Sequence, residues 1–266
     1  MDAALKRLSS VLARLFFSVA VWTFGFAWML FSASITLLLL LVGFPYQKVH
    51  VWFTAPTFAW TVRFAAIRVR VHYHPRFDPE ERSIFCQNHI NLFDGHVASA
   101  AIPHAFSGLM NAWQFKIPIY GWLMKMSKGI PVKKQRRDKI IEDISREARH
   151  RKEIGMSVLT FPEGHRTRTG RPGPFKRGVF LMARNAGMSV VPIAVKGLYE
   201  ANNKNMGWIF TPFQTVDVFV GPQFSTAGLD NEHVGDLADR LRTWIDECTQ
   251  TGSFPANDSS VRESAA

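Results

Sequence analysis

An α/β fold with an N-terminal membrane-inserted helical segment is the architecture that this 266-residue chain predicts. Two observations predict it. From residue 67 onward, short apolar or β-branched runs alternate with stretches of helical periodicity, the pattern of a sheet covered by helices. Before that point, the thirty residues 15–44 contain no charged side chain, and about 20 apolar residues suffice to cross a bilayer. A cleavable signal peptide fits poorly, because its apolar core should span only about 7–15 residues and end in a small-residue cleavage site. The chain therefore divides into a membrane-associated helical region, 1–66, an α/β domain, 67–250, and a polar tail, 251–266, expected to be disordered.

The apolar stretch has basic residues on both flanks: Lys6, Arg7 and Arg14 before it, Lys48, Arg63, Arg68 and Arg70 after it. A single span would export one of these clusters against the positive-inside rule. A re-entrant helical pair turning near Ser32-Ala33-Ser34 keeps both on one side and is the expectation, with a single span as the alternative. Residues 48–66 stay aromatic and apolar around Pro56 and read as an amphipathic helix at the interface.

The α/β region follows in order. Residues 67–73 alternate with period two, a half-exposed strand. A turn at 78–81 leads into a short buried strand, 83–87, and a helix of small residues running to 102 from a start near Asp94. A strand at 105–111, a helical stretch at 116–127 interrupted by Pro118 and Gly121, and a strand at 130–132 come next. A charged helix at 136–153 precedes a buried strand at 156–161. The helix at 178–186 ends at Gly187 in the C-cap manner. Strands at 189–195 and 215–220 and a helix carrying Val234, Leu237, Leu241, Trp244 and Ile245 at helical spacing complete the domain.

The formal net charge is +11, compatible with nucleic acid, an anionic membrane or anionic small substrates. Between Lys116 and Lys152 lie twelve Lys or Arg against four acids. No nucleic-acid module accompanies this patch, so anionic lipid is the more economical partner and nucleic acid is not expected. Cys86 and Cys248 have no metal-ligand spacing, and a disulfide between them is neither required nor excluded. His72 and His74 share a strand face but lack a third ligand, so no metal site is expected.

Two segments carry chemistry. In Asn88-His89-Ile90-Asn91-Leu92-Phe93-Asp94, the five-residue spacing sets His89 and Asp94 about 140° apart on a continuous helix, where they cannot meet. A strand–turn–helix passage folds the carboxylate back onto the imidazole. The carboxylate then fixes the tautomer and leaves Nε2 free to take a proton, with Asn88 orienting the turn. On spacing alone the structural reading of His89 outweighs the catalytic one. In Phe161-Pro162-Glu163-Gly164-His165-Arg166-Thr167-Arg168, Pro162 and Gly164 bracket a sharp turn with arginines beyond it, residues suited to phosphate. Lys176 and Arg177 follow just before a helix start. A charged surface turn with a local ion pair is the competing reading. Neither a Gly-x-Ser-x-Gly elbow nor a P-loop is present.

These residues resemble the membrane-bound glycerolipid acyltransferases typified by lysophosphatidic acid acyltransferase. The Asn-His-x4-Asp block is matched by Asn88, His89 and Asp94. The Phe-Pro-Glu-Gly-Thr-Arg-Ser block is matched by Phe161, Pro162, Glu163, Gly164 and Arg166, with His165 and Thr167 as departures. Phe175, Lys176 and Gly178 follow the pattern, as does the Val-Pro strand at Val191-Pro192. A looser block fits Pro118, Gly121, Gly129 and Lys134, with lysine in place of arginine. The resemblance implies the glycerolipid acyltransferase fold, a mixed sheet flanked by helices. It implies direct transfer from acyl-CoA or acyl-carrier protein, with no further cofactor, to the hydroxyl of a lysophospholipid such as 1-acyl-glycerol-3-phosphate, giving phosphatidic acid. His89 becomes the base and Asp94 its orienting partner; Glu163, Gly164 and Arg166, with Lys134 and Lys176, become the acceptor site. Thioester donors are cytosolic, so the α/β domain is expected on the cytoplasmic face of a bacterial inner membrane. Acylation of another lysolipid, and non-catalytic binding of anionic lipid on the same scaffold, are the alternatives.

Overall fold

The computed structural model describes residues 2–256. Its strands are β1 (Ile67–Tyr73), β2 (Ile84–Gln87), β3 (Phe106–Asn111), β4 (Ile130–Val132), β5 (Ser157–Thr160), β6 (Val190–Lys196) and β7 (Gln214–Val220). They form one seven-stranded sheet in the order β1-β7-β6-β2-β5-β3-β4. All neighbours are parallel except β6 and β7. The sheet is therefore mixed, as the resemblance implies.

Position in the sheet explains the composition of the strands. β2 lies between β5 and β6, and every one of its residues is buried; a strand covered on both faces reads as a continuous apolar run. Its alternate side chains serve different cores. Ile84 and Cys86 pack with helices α6 (Arg137–Glu153), α7 (Arg177–Ala186) and α9 (Asn231–Thr251). Phe85 packs on the other face with Val97, Ala98 and Ala101 of α4 (Asp94–Ala101). β1 is an edge strand and keeps Arg68 outward, a device that discourages edge-to-edge pairing. Cys86 and Cys248 are both buried and unbonded.

The N-terminal region departs from expectation in one respect. Helix α1 runs unbroken from Asp2 to Leu41, straight through Ser32-Ala33-Ser34. The chain reverses instead at residues 42–45, through Gly43 at φ 96° and Pro45, which caps α2 (Tyr46–Val49). A π-helical turn, His50–Thr54, and α3 (Ala55–Thr61) then lead back along α1. Of the small residues that suggested a turn, Ser32 instead joins the seam of this pair, while Ser34 is exposed and donates to the Leu30 carbonyl. Ser32 Oγ and Thr57 Oγ1 are 2.8 Å apart, Thr36 Oγ1 and Thr54 Oγ1 3.1 Å, and Trp28 Nε1–H donates to the Thr57 carbonyl. Small hydroxyl residues allow close approach of apolar helices and satisfy one another there.

Both halves of α1 are tied to the α/β domain. Arg14 donates to Thr211 Oγ1, and Ser18 Oγ accepts from the Phe210 amide. At the other end Leu40 and Tyr46 pack with Met156, and Gln47 donates to the Ile154 carbonyl. The helix therefore lies along the domain, leaving Phe16, Phe24, Phe31, Leu38 and Leu41 exposed on its outer side. Residues 10–41 are long and apolar enough to cross a membrane, yet their far end returns to the same domain.

At the C-terminus α9 includes Thr251, and Phe254 packs against Phe219 and Trp244, so the first residues of the expected tail are ordered. The rest of that tail, 257–266, lies outside the described residues.

Candidate active site

The site sits beyond the carboxyl end of β2, where open α/β sheets place their ligands. The chain leaves the strand at Asn88, whose buried side chain forms a two-way clasp with β6. Its Nδ2 donates to the Val195 carbonyl at 3.0 Å, and its Oδ1 accepts from the Val195 amide at 2.8 Å. Asn88 thus anchors the strand end rather than orienting the turn itself. His89 comes next, and a tight turn brings Asp94 back at the start of α4. Asp94 Oδ2 accepts from His89 Nδ1 at 2.6 Å, from the Ile90 amide at 2.7 Å and from the Asn91 amide at 3.1 Å. The two sequence-predicted partners therefore meet, through the strand–turn–helix route and not along a helix.

Asp94 is buried, and burial pushes its carboxyl above the usual carboxylate range against the opposing pull of His89. The imidazole stacks on Phe161, ring centroids 4.3 Å apart, and stays partly open to a cavity of about 610 Å³.

Glu163 holds a different place from the one the resemblance assigns. It is 2% exposed. Its Oε1 accepts from the His89 amide and its Oε2 from the Gly173 amide, each at 2.8 Å. Both oxygens are thus committed to the backbone, because a buried carboxylate needs such donors. Burial raises its pKa, with those two bonds opposing. The Thr167 amide donates to the His89 carbonyl at 2.7 Å, and the Lys176 amide to the Pro162 carbonyl at 2.9 Å. The second motif is therefore a clamp on the backbone of the first.

Gly164 takes φ 72°, and a side chain there would overlap the Lys176 ammonium, which crosses the turn. Arg166 and Lys176 line the cavity beside His89, as do His165 and Lys204. Lys134 does not: it is exposed between β4 and α6 and absent from the cavity wall, as are Arg136 and Arg137. Only Lys133 separates it from the end of the short edge strand β4. Pro192 is buried within β6 opposite Cys86, and its carbonyl accepts from the Gly221 amide, so it supports the sheet.

The sequence reading missed Lys204, which follows α8 (Leu198–Ala201) and lines both the cavity and a basic depression shared with His165, Arg166, Arg168 and Arg171. A lone lysine in an Asn-rich loop carries no pattern that could have revealed it. Arg171 is held away by its ion pair with Asp246. Away from these cations the cavity wall is largely apolar, with Phe58, Phe106, Leu109, Leu123, Met124 and Ile144.

Comparison with known proteins agrees with this geometry. A family model described as "Acyltransferase" matches residues 68–196. A 1-acyl-sn-glycerol-3-phosphate acyltransferase of Pseudomonas aeruginosa is 26% identical over 170 residues, 64% of each chain. The chloroplastic 1-acyl-sn-glycerol-3-phosphate acyltransferase LPAT1 of Arabidopsis thaliana is 28% identical over 72% of this chain and 53% of its own. The chain thus spans somewhat over half the length of these relatives. The crystal structure of the 1-acyl-sn-glycerophosphate (LPA) acyltransferase PlsC from Thermotoga maritima shares the fold, with a TM-score of 0.72 at 19% identity over 95% of this chain and 98% of that one. Residues 68–196, which match the acyltransferase family model, contain the His89–Asp94 pair, the Glu163 clamp and the β6 strand that anchors Asn88.

Proposed function

We propose that this protein transfers a fatty acyl chain from a thioester, acyl-CoA or acyl-carrier protein, to the free hydroxyl of a 1-acyl-glycerol-3-phosphate, forming phosphatidic acid. The observation that carries the reading is the His89–Asp94 pair, 2.6 Å apart, opening onto a cavity that is basic on one side and apolar on the other.

With Nδ1–H held by Asp94, His89 Nε2 accepts the acceptor's hydroxyl proton as that oxygen attacks the thioester carbonyl. Asp94 stabilises the imidazolium that forms. The tetrahedral intermediate collapses, the carbon–sulfur bond breaks, and the imidazolium returns its proton to the departing thiolate. One ester and one thiol result, and no acyl-enzyme is required. Glu163 serves as a positioning residue, holding the His89 backbone while Phe161 supports the ring. Arg166 and Lys176, with Lys204, supply the positive charge that meets the phosphate, and the apolar wall receives the acyl chain.

The chain works at a membrane surface on this reading, with residues 1–66 as the embedded part, 67–250 as the catalytic domain and 251–266 as the tail. The outer face of α1 and the exposed Leu92, Trp113 and Trp122 form an apolar rim through which a lysolipid reaches the site without leaving the bilayer. The α/β domain faces the cytoplasm, where thioester donors are made. His165, exposed where its family more often has threonine, lines both the cavity and the basic depression; it favours, as a second reading, an acceptor with a different headgroup.

Purified protein offered labelled acyl-CoA or acyl-carrier protein and a panel of lysolipids tests both readings. Product is expected with 1-acyl-glycerol-3-phosphate and lost in His89→Ala with membrane binding intact. An active His89→Ala sinks the mechanism, and a wild type that binds anionic vesicles but never transfers returns the protein to a lipid-binding role.

A further inference from the structure

One part of the cavity wall is not explained by binding a hydrocarbon chain. His50, 4% exposed, contributes to the wall where the returning helical segment meets β3, edge-on to Phe106 at 4.9 Å between ring centroids. Its Nδ1 is 2.7 Å from the Tyr46 hydroxyl, but its Nε2 is buried with no hydrogen-bond partner among the described residues. Buried polar atoms are nearly always paired, and one left open in a binding cavity marks a place where a ligand or water completes the bond. The backbone points the same way. Residues His50–Thr54 form a π-helical turn inside an otherwise α-helical return, and such turns are frequent at functional sites. The turn presents His50 and Thr54 to the cavity within one helical repeat.

The sheet register gives the depth of this group. Phe106 pairs with Ser157, and Phe161, stacked on His89, lies four residues further along the same strand direction. At roughly 3.3 Å per residue the two levels stand about 13 Å apart along the strands. His50 therefore meets a chain well beyond its reacting carbonyl.

We infer that His50 Nε2 recognises a hydroxyl group on the distal part of a fatty acyl chain held in this cavity. The inference rests on the cavity receiving an acyl chain, as proposed above. A hydroxyl fits better than a ketone. The tautomer of His50 depends on whether Tyr46 donates or accepts, and a hydroxyl accepts from Nε2–H in one case and donates to bare Nε2 in the other. A carbonyl satisfies only the first. The hydroxylated chain could belong to the thioester donor or already be attached to the acceptor lysolipid; the recognising chemistry is the same.

Two sets of competition assays with the full-length protein in lipid vesicles separate these sources: hydroxylated against plain acyl-CoA of equal length with a plain acceptor, then plain acyl-CoA with hydroxylated against plain lysolipid. Hydroxyl position is varied along the distal half. In one set, wild type is expected to favour the hydroxylated chain about tenfold in kcat/KM, the scale of one buried hydrogen bond. His50→Phe, which keeps the packing on Phe106, brings that ratio to about one, and His50→Gln restores part of it. A wild-type ratio at or below one for every position in both sets overturns the inference, as does a His50→Phe ratio equal to that of wild type. If His50→Phe does not fold, the wild-type ratios decide. If no chain is transferred at all, the acyltransferase reading has failed. Displacement of a bound fluorescent fatty acid by hydroxylated or plain free fatty acids then judges the subsite: tighter binding of the hydroxylated acid upholds it, and equal binding refutes it.

Discussion

Four contacts constrain His89, each acting on a different part of the residue. Asp94 holds Nδ1, Phe161 supports the ring face, Glu163 accepts from the amide, and the Thr167 amide donates to the carbonyl. Replacing Asp94 with Asn removes the charge that favours the imidazolium, and kcat should fall about 10³-fold or more with little change in stability. Glu163→Gln keeps one acceptor but turns an amide NH2 toward a backbone N–H. The expected signature is a drop in kcat with KM for the acceptor nearly unchanged; a KM rise without loss of kcat would instead return Glu163 to headgroup binding. The pH dependence follows from burial. Both carboxyls are raised in the folded state, so their protonation favours the fold, and the contribution is lost as pH rises through the raised values. Activity runs the other way, because protonated Asp94 no longer stabilises His89. The acid limb of kcat/KM should therefore lie above the ordinary carboxylate range while circular dichroism stays constant across it. Simultaneous loss of activity and ellipticity would contradict this.

Among the elements, β2 and β5 carry the two motifs, and their central, fully buried positions keep the motifs in register. The periodicity of residues 67–251 revealed nearly every strand and helix, because alternation and helical spacing are local properties. It overlooked α8 and the loop after it, whose short polar sequence has no period. Of the helical stretch expected at 116–127, only α5 (Tyr120–Met126) is α-helical, preceded by a 3₁₀ turn at Ala112–Lys116. There a side chain at Gly121 would overlap the Phe115 carbonyl oxygen. That neighbour is backbone and cannot rotate away, so Gly121→Ala should destabilise by about 1–3 kcal/mol, readable as a lowered Tm. The α1 seam offers a second element-scale test. Ser32→Leu inserts bulk against Thr57 and should loosen the helical pair, detectable as faster proteolysis near residues 42–45; unchanged cleavage would argue that the seam carries no load.

For the whole molecule, the decisive relation is between α1 and the α/β domain. The 32-residue, predominantly apolar stretch 10–41 extends about 48 Å at 1.5 Å per residue, longer than a hydrocarbon core of about 30 Å. Its two halves nevertheless both return to the domain. An in-plane or shallow arrangement in one leaflet fits those contacts, whereas a perpendicular crossing would carry residues 42–47 away from Ile154. Single cysteines at Leu12 and Gly43, with Cys86 and Cys248 replaced, should both react with a membrane-impermeant thiol reagent added on the side of the α/β domain. Labelling of only one from that side would establish a true crossing.

The sequence by itself determined the α/β class, the apolar N-terminus and the arginine-rich turn, since each is written in local spacing or composition, and it singled out the His89–Asp94 pair through the motifs that carry the resemblance. Only the tertiary structure decided what those residues touch. It assigned Glu163 to the backbone of His89, left Lys134 outside the cavity, brought Lys204 in, and moved the reversal of the N-terminal pair from residues 32–34 to 42–45. The physical reason is the same in each case. A carboxylate, a lysine or a serine has several partners of equal chemical merit, and burial and register, set by distant parts of the chain, choose among them.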